Sequence, residues 1–212
     1  MKISCLDFQQ KKQCQKIAQN NTNPYDTIGK IHNYILDIYL SANQSHSTIE
    51  EINEEIQTIV NTYGNSFIGN SVQQSLTVGN QIINPFNTTE SSLSTIIANS
   101  QLTNQAKVSL SGFITSLFLL VEEEYEDIHD FVVSYELSVI NNSEFNDEDK
   151  RIILTTSSLS RYSFYYEKKR KDKDWETSVG NIMAGLSGAL ENSLTAVNSA
   201  LVTGIYHNTI VT

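Results

Sequence analysis

Positive charge is scarce in this 212-residue chain: 14 Lys and Arg stand against 24 Asp and Glu, a net charge of −10. A field of that sign repels nucleic acid and anionic membrane, so neither is an expected partner of the surface as a whole. One run departs from it, "EKKRKDKD" at 167–174, which reads as a solvated helix end or loop, with a docking patch for an acidic partner as the alternative. Charged residues of both signs make up only 18% of the chain, and Asn, Ser, Thr and Gln supply most of the remaining polarity. That balance suits a solvated extracytoplasmic protein better than a cytosolic enzyme rich in Glu and Lys.

Cysteine is nearly missing as well. Cys5 and Cys14 are nine residues apart in the N-terminal region, and with no second pair they match no zinc pattern. In an oxidising compartment they would close a small loop; in a reducing one they would be idle thiols. A third reading takes "ISC" at 3–5 as the remnant of a lipoprotein cleavage site with Cys5 acylated, although the apolar stretch such a signal needs is missing and Lys2 sits where it should end. Also missing are G-x-S-x-G, a phosphate-cradling glycine loop and H-E-x-x-H, so no nucleophile constellation and no cofactor is expected.

What is present is helical periodicity. Residues 1–22 are polar and read as a loose tail, leaving 23–212 as one all-α, multi-helix bundle domain. A first helix starts with Asn23 as cap, Pro24 in the first helical position and Asp26 in the first turn, followed by Ile28, Ile31, Ile35 and Ile38. A second begins at Ser47, whose S-x-x-E spacing with Glu50 is a capping box; it buries Ile49, Ile52, Ile56, Ile59 and Tyr63 and stops at Gly64. The Gly- and Pro-interrupted stretch 65–87 reads as loop with one short helix, strand in "SLTVGNQII" being the alternative. Asn87 and Glu90 start another helix. Thr103 caps a long one running to about Ser138, with Val108, Phe113, Leu117, Leu120, Val121, Ile128 and Val132 on its core face. One more helix follows "NDEDKRIIL", and the last runs from about Lys173.

Three stretches raise functional questions. In "NPYDTIGKIHNYILD", a helical wheel puts Asp26, Lys30, Asn33 and Asp37 in one polar arc and His32 on the apolar side. His32, Asn33 and Asp37 are the candidate ligand- or partner-contacting residues. The structural reading of the same residues has Asn23, Pro24 and Asp26 starting the helix, Gly29 admitting a close neighbour, and His32 and Asn33 tying the helix to backbone groups. In "VEEEYEDIHD", Glu122, Glu126 and His129 share a face, and Glu126-x-x-His129 has the spacing of a di-iron half-site. No other histidine has a Glu three residues before it, so the second half-site is missing and a solvated acidic face is the expectation over a metal centre. In the C-terminal segment, every fourth residue from Gly180 is small or Asn: Gly180, Ala184, Gly188, Asn192, Ala196, Ala200 and Gly204. Such a stripe lets helix backbones approach closely. Asn181, Glu191, Asn192 and Asn198 interrupt it, so a helix tightly packed in the bundle is expected, with self-association or membrane insertion as alternatives and no spanning helix.

The segment "NPYDTIGKIHNYILD", the later "SSLSRYSFYYEKKRKDKDW" and the small-residue C-terminal helix together resemble a loosely defined group of helical proteins of Bacteroidetes-type bacteria, often preceded by lipoprotein signals. Asn23, Pro24, Tyr25, Asp26, Gly29, His32, Asn33, Leu36 and Asp37 match the group's N-terminal segment. The resemblance covers the first helix well, the last third moderately and the middle hardly at all. It implies export and a helical fold and carries no activity over. The expectation is a non-enzymatic helical binding protein of the cell envelope or exterior that meets a protein partner or a second copy. The alternatives are a bacteriocin-like, membrane-active protein using the C-terminal helix and a metal-dependent enzyme using 122–129.

Overall fold

The computed structural model describes residues 18–42, 48–67, 90–169 and 179–210. They form eight helices: α1 (Asp26–Ser41), α2 (Ile49–Phe67), α3 (Glu90–Asn99), α4 (Asn104–Leu119), α5 (Tyr125–Asn141), α6 (Asp147–Lys169), α7 (Val179–Glu191) and α8 (Ser193–Ile210). No strand occurs among the described residues, and one contiguous apolar core runs from Ala18 to Ile205. The all-α bundle is as the periodicity predicts.

The centre of the bundle is α6. Every residue from Ile152 to Tyr166 is buried, although half of that stretch is Ser, Thr or Arg, and α1, α5, α7 and α8 pack around it. A polar helix can be a core helix when its polar groups are short and each finds a partner. Thr156 and Ser160 donate their hydroxyls to the carbonyls of Ile152 and Thr156, both at 2.9 Å. Thr155 reaches Ser193 at 2.8 Å. The small side chains let the surrounding helices come close.

The start of α6 is capped by groups shared with α4. Asn146 and Asp149 form a reciprocal box at the start of α6, Asp149 N–H donating to Asn146 Oδ1 at 2.8 Å and Asn146 N–H to Asp149 Oδ2 at 3.2 Å. The same carboxylate accepts from the backbone N–H and hydroxyl of Thr103, at 2.9 and 2.8 Å, while Thr103 caps α4 through Ala106 N–H. One buried aspartate thus fixes two helix starts against each other.

Several boundaries differ from the sequence expectation. The helix expected from Thr103 to Ser138 is broken at 120–124 into α4 and α5. Three consecutive glutamates, Glu122–Glu124, oppose the negative end of a continuing helix dipole but suit the positive start of α5, where Glu126 and Asp127 add to them. Reading one unbroken phase also misplaced Val108, which is 76% exposed, whereas Ala106, Leu110, Phe113, Ile114 and Leu117 face the core. The capping box of α2 is Thr48–Glu51, one residue later than the predicted Ser47–Glu50: Thr48 N–H and Glu51 N–H each reach the other's side chain at 3.2 Å. Gly64 does not end α2, which continues to Phe67, and Tyr63 is exposed. Of the expected tail, 1–17 lies outside the described residues, while Ala18 and Asn20 are buried. The expectations for 68–87 and most of 167–174 also fall outside the described residues.

The C-terminal segment is helical and small-residue-rich, but it is two helices folded back at Asn192. Asn192 Oδ1 accepts from Leu194 N–H at 3.0 Å and Thr195 N–H at 2.9 Å, capping α8. Gly188 lies against Ala196, where a Cβ would come within 2.6 Å of backbone, and Gly185 lies opposite Ala200. Around Gly188, Ala196 and Ala200 the small-residue segment therefore packs against its own other half. No helix among the described residues is long and apolar enough to cross a membrane.

Candidate functional site

The polar residues of the N-terminal segment converge on α6. Before α1 the chain turns at Asn23, whose Oδ1 accepts from Tyr25 N–H at 2.8 Å, an Asx-type turn. Tyr25, not Asn23, occupies the N-cap position and makes no side-chain capping bond. The turn frees the Asn23 amide to donate to Glu136 Oε1 at 2.7 Å and to the Leu154 carbonyl at 3.0 Å. Asn20 donates its amide to Glu136 Oε2 at 2.6 Å and its backbone N–H to Asp26 Oδ1 at 2.9 Å.

At the middle sits Arg161, fully buried. Its Nη2 lies 2.8 Å from Asp26 Oδ1 and 3.3 Å from Glu136 Oε1. Asp26 also accepts from Tyr162 OH at 3.2 Å, and Glu136 from Ser157 Oγ at 3.0 Å. Two buried carboxylates thus share one guanidinium. Burial works against the charge on Arg161, but Glu136 and Asp26 outweigh it and hold its pKa above the ordinary value. Burial, with Asp26 beside it, pushes the Tyr162 phenol up, so it stays a neutral donor. The Nε and Nη1 of Arg161 have no hydrogen-bond partner among the described residues, and the guanidinium carbon lies 5.3 Å from the centre of the Tyr162 ring.

Higher on α1, the backbone approaches α6 directly. Gly29 N–H donates to Ser158 Oγ at 3.2 Å, and that hydroxyl donates to the Asp26 carbonyl at 3.2 Å. A Cβ at Gly29 would fall 2.3 Å from Tyr162 Cδ2 and 2.7 Å from the Ser158 carbonyl oxygen. Gly29→Ala is therefore expected to destabilise the protein by about 1–3 kcal/mol through overpacking. The comparison is Gly112→Ala on α4, where a Cβ meets nothing within 4 Å and the helix gains about 0.5–1 kcal/mol. Equal chemical-denaturation midpoints for the two variants would show that α1 and α6 are not held at this distance.

The candidate residues of the segment separate. Asn33 is buried and donates to the Tyr162 carbonyl at 2.9 Å; its Oδ1 lies 2.9 Å from Nδ1 of the fully buried His32. Asp37 is half-buried. His32, Asn33 and Asp37 therefore do not offer one common face to solvent. Of the polar arc read on the helical wheel, Asp26 and Asn33 face α6, which presents Tyr162 and Arg161 to them, while Lys30 and Asp37 are half-buried. In the second candidate group, Glu122 lies in the turn before α5, Glu126 is exposed and half-buried His129 lies 3.3 Å from Asp130. No three His, Cys, Asp or Glu residues among the described residues are placed to hold a metal ion.

Glu136 and Arg161, the two charged residues that complete the cluster, escaped the sequence reading. Both carried a signal. Glu136 interrupts the buried stripe Ile128, Val132, Val139 of α5, where a charge needs a partner. Arg161 is the only charged residue between Arg151 and Glu167, in a stretch otherwise of short polar, aliphatic and aromatic residues. No protein-family model, no curated protein and no solved structure matches the chain.

Proposed function

We propose that the protein is a non-enzymatic helical binding protein of the cell envelope or exterior, whose working surface is its outside and whose buried polar cluster is a brace. The observation that carries the reading is the outer face of α4. Val108 and Leu119 are 76% and 80% exposed there, with exposed Gly112 and Thr115 between them and no charge on that face. A protein partner lying along this uncharged helix face would take both of these highly exposed apolar side chains out of water. The hydrogen-bonding groups of the 20–33 segment support the reading from the other side, since they are engaged in holding α1, α5 and α6 together. Export rests on the uncharged polar composition and the resemblance of the N-terminal segment.

A photoreactive amino acid in place of Leu119, in cells producing the protein, is expected to give a discrete adduct that Val108→Asp removes. The same group at exposed Thr58 of α2 is the reference. Adduct yields equal at the two positions would overturn the reading. So would stoichiometric metal that His129→Ala removes, or dye release from liposomes; these point to the enzyme and the membrane-active protein respectively.

A further inference from the structure

We propose that the outer face of α4 receives a second copy of the same helix, antiparallel, about a two-fold axis near Phe113 and Ile114. This rests on the reading of that face as an interaction surface and names its partner. Val108, Gly112, Thr115 and Leu119 fall within an arc of about 60°, opposite Leu110 and Leu117. Their 4-3-4 spacing is that of a two-helix seam. The spacing is also palindromic: with two copies antiparallel, Val108 of one meets Leu119 of the other, and Gly112 meets Thr115. An isologous contact needs this self-complementarity. Bulky knobs at the ends and a glycine in the middle let two such faces close on each other. Gly112 has no reason within the chain, since a Cβ there meets nothing within 4 Å.

Charge selects the occupant and the direction. Two chains of −10 repel each other except where a face is bare of charge, as this one is. Lys107, the one charged residue of α4, is turned aside to the Ala98 carbonyl at 2.7 Å. Exposed Glu122, Glu123 and Glu124 lie just beyond the C-terminal end of α4. Antiparallel pairing sets this acidic turn beside the uncharged, exposed Asn104 and Gln105 of the second copy's α4. Parallel pairing would set the two acidic turns together. The seam is about 16 Å long, too short for the roughly 1,200 Å² of a stable complex, so the dimer is weak, with Kd in the range of about 10–1,000 μM.

Sedimentation equilibrium of the full chain from about 10 μM to about 1 mM reads the association directly. Wild type is expected to dimerise in that range. Gly112→Leu is expected to weaken the dimer about tenfold or more by filling the hollow, while raising the melting temperature of the monomer because leucine is the better helix former. That opposite movement separates a lost contact from a damaged fold. In a Cys5→Ser, Cys14→Ser background, a Val108→Cys chain mixed with a Leu119→Cys chain should form the mixed disulfide in preference to either like pair. A wild type that stays monomeric throughout, a Gly112→Leu dimer as strong as wild type, or like pairs forming preferentially overturns the proposal. In the first of these cases a Leu119 adduct with a different protein would leave the interaction reading standing, and its absence would remove both.

Discussion

Arg161→Met is expected to cost about 3–5 kcal/mol, the loss seen when one partner of a buried ion pair is removed. Asp26 and Glu136 would then share the interior without a counter-charge, their remaining donors being the neutral groups of Asn20, Asn23, Ser157 and Tyr162. Against a total stability of roughly 5–15 kcal/mol, that is enough to unfold a fraction of the molecules at room temperature. The informative control is the variant carrying Asp26→Asn and Glu136→Gln together with Arg161→Met. Removing all three charges takes away the desolvation cost along with the attraction, and apolar replacement of buried ion networks is often neutral or stabilising. Since Arg161 Nε and Nη1 lack partners among the described residues, its desolvation is only partly offset, and the triple variant should recover most of what the single one loses. Urea-unfolding midpoints measure both. A triple variant as unstable as Arg161→Met would show that the charges are not what the single substitution disturbs.

Acid is expected to destabilise the protein through His32. Burial pulls its pKa down to about 4 from an ordinary 6.5, against the smaller opposing effect of Asn33. In the window between those values the unfolded chain takes up a proton that the folded ring does not. The contribution is complete above about pH 6.5, falls by about 1.4 kcal/mol per unit as pH drops, and levels off below about 4, a total of about 3 kcal/mol. Folding free energies from urea titrations between pH 7.5 and 4, for wild type and His32→Gln, test this. Wild type should lose stability more steeply across the window, because glutamine does not titrate. Parallel pH profiles would mean that the ring is charged, or hydrated, in the folded state.

The N-terminal segment shows where the sequence was legible and where it was not. Gly29 admits a close neighbour and Asn33 ties the helix to a backbone carbonyl of α6, as their residue types suggest, whereas Nδ1 of His32 meets Asn33 on its own helix rather than a backbone group. The face they serve was not legible. A helical wheel assigns a polar arc to solvent by default, and only the arrival of a hydroxyl-rich helix on that side makes Asp26 and Asn33 interior groups. The same limit hid Arg161: a helix of Ser, Thr and Tyr reads as a surface helix until neighbours are seen to satisfy it. The C-terminal stripe was legible as a close-packing device, but not as a hairpin. Small residues permit close approach to any helix, and the capping side chain of Asn192 directs that approach back onto the same segment.

By itself, then, the sequence determined an all-α chain, the start of α4 at Thr103, the apolar faces of α1 and α2, and a net charge of −10. These depend on contacts a few residues apart, or on summed charge. The tertiary structure decided that α6 is the centre, that Glu136 and Asp26 share Arg161, that α4 and α5 are separate helices, and that Val108 and Leu119 face outward. Most of those are matters of which helix packs on which face, and in the buried cluster several of the pairs join residues more than a hundred positions apart, as in Asn20 with Glu136 and Asp26 with Arg161.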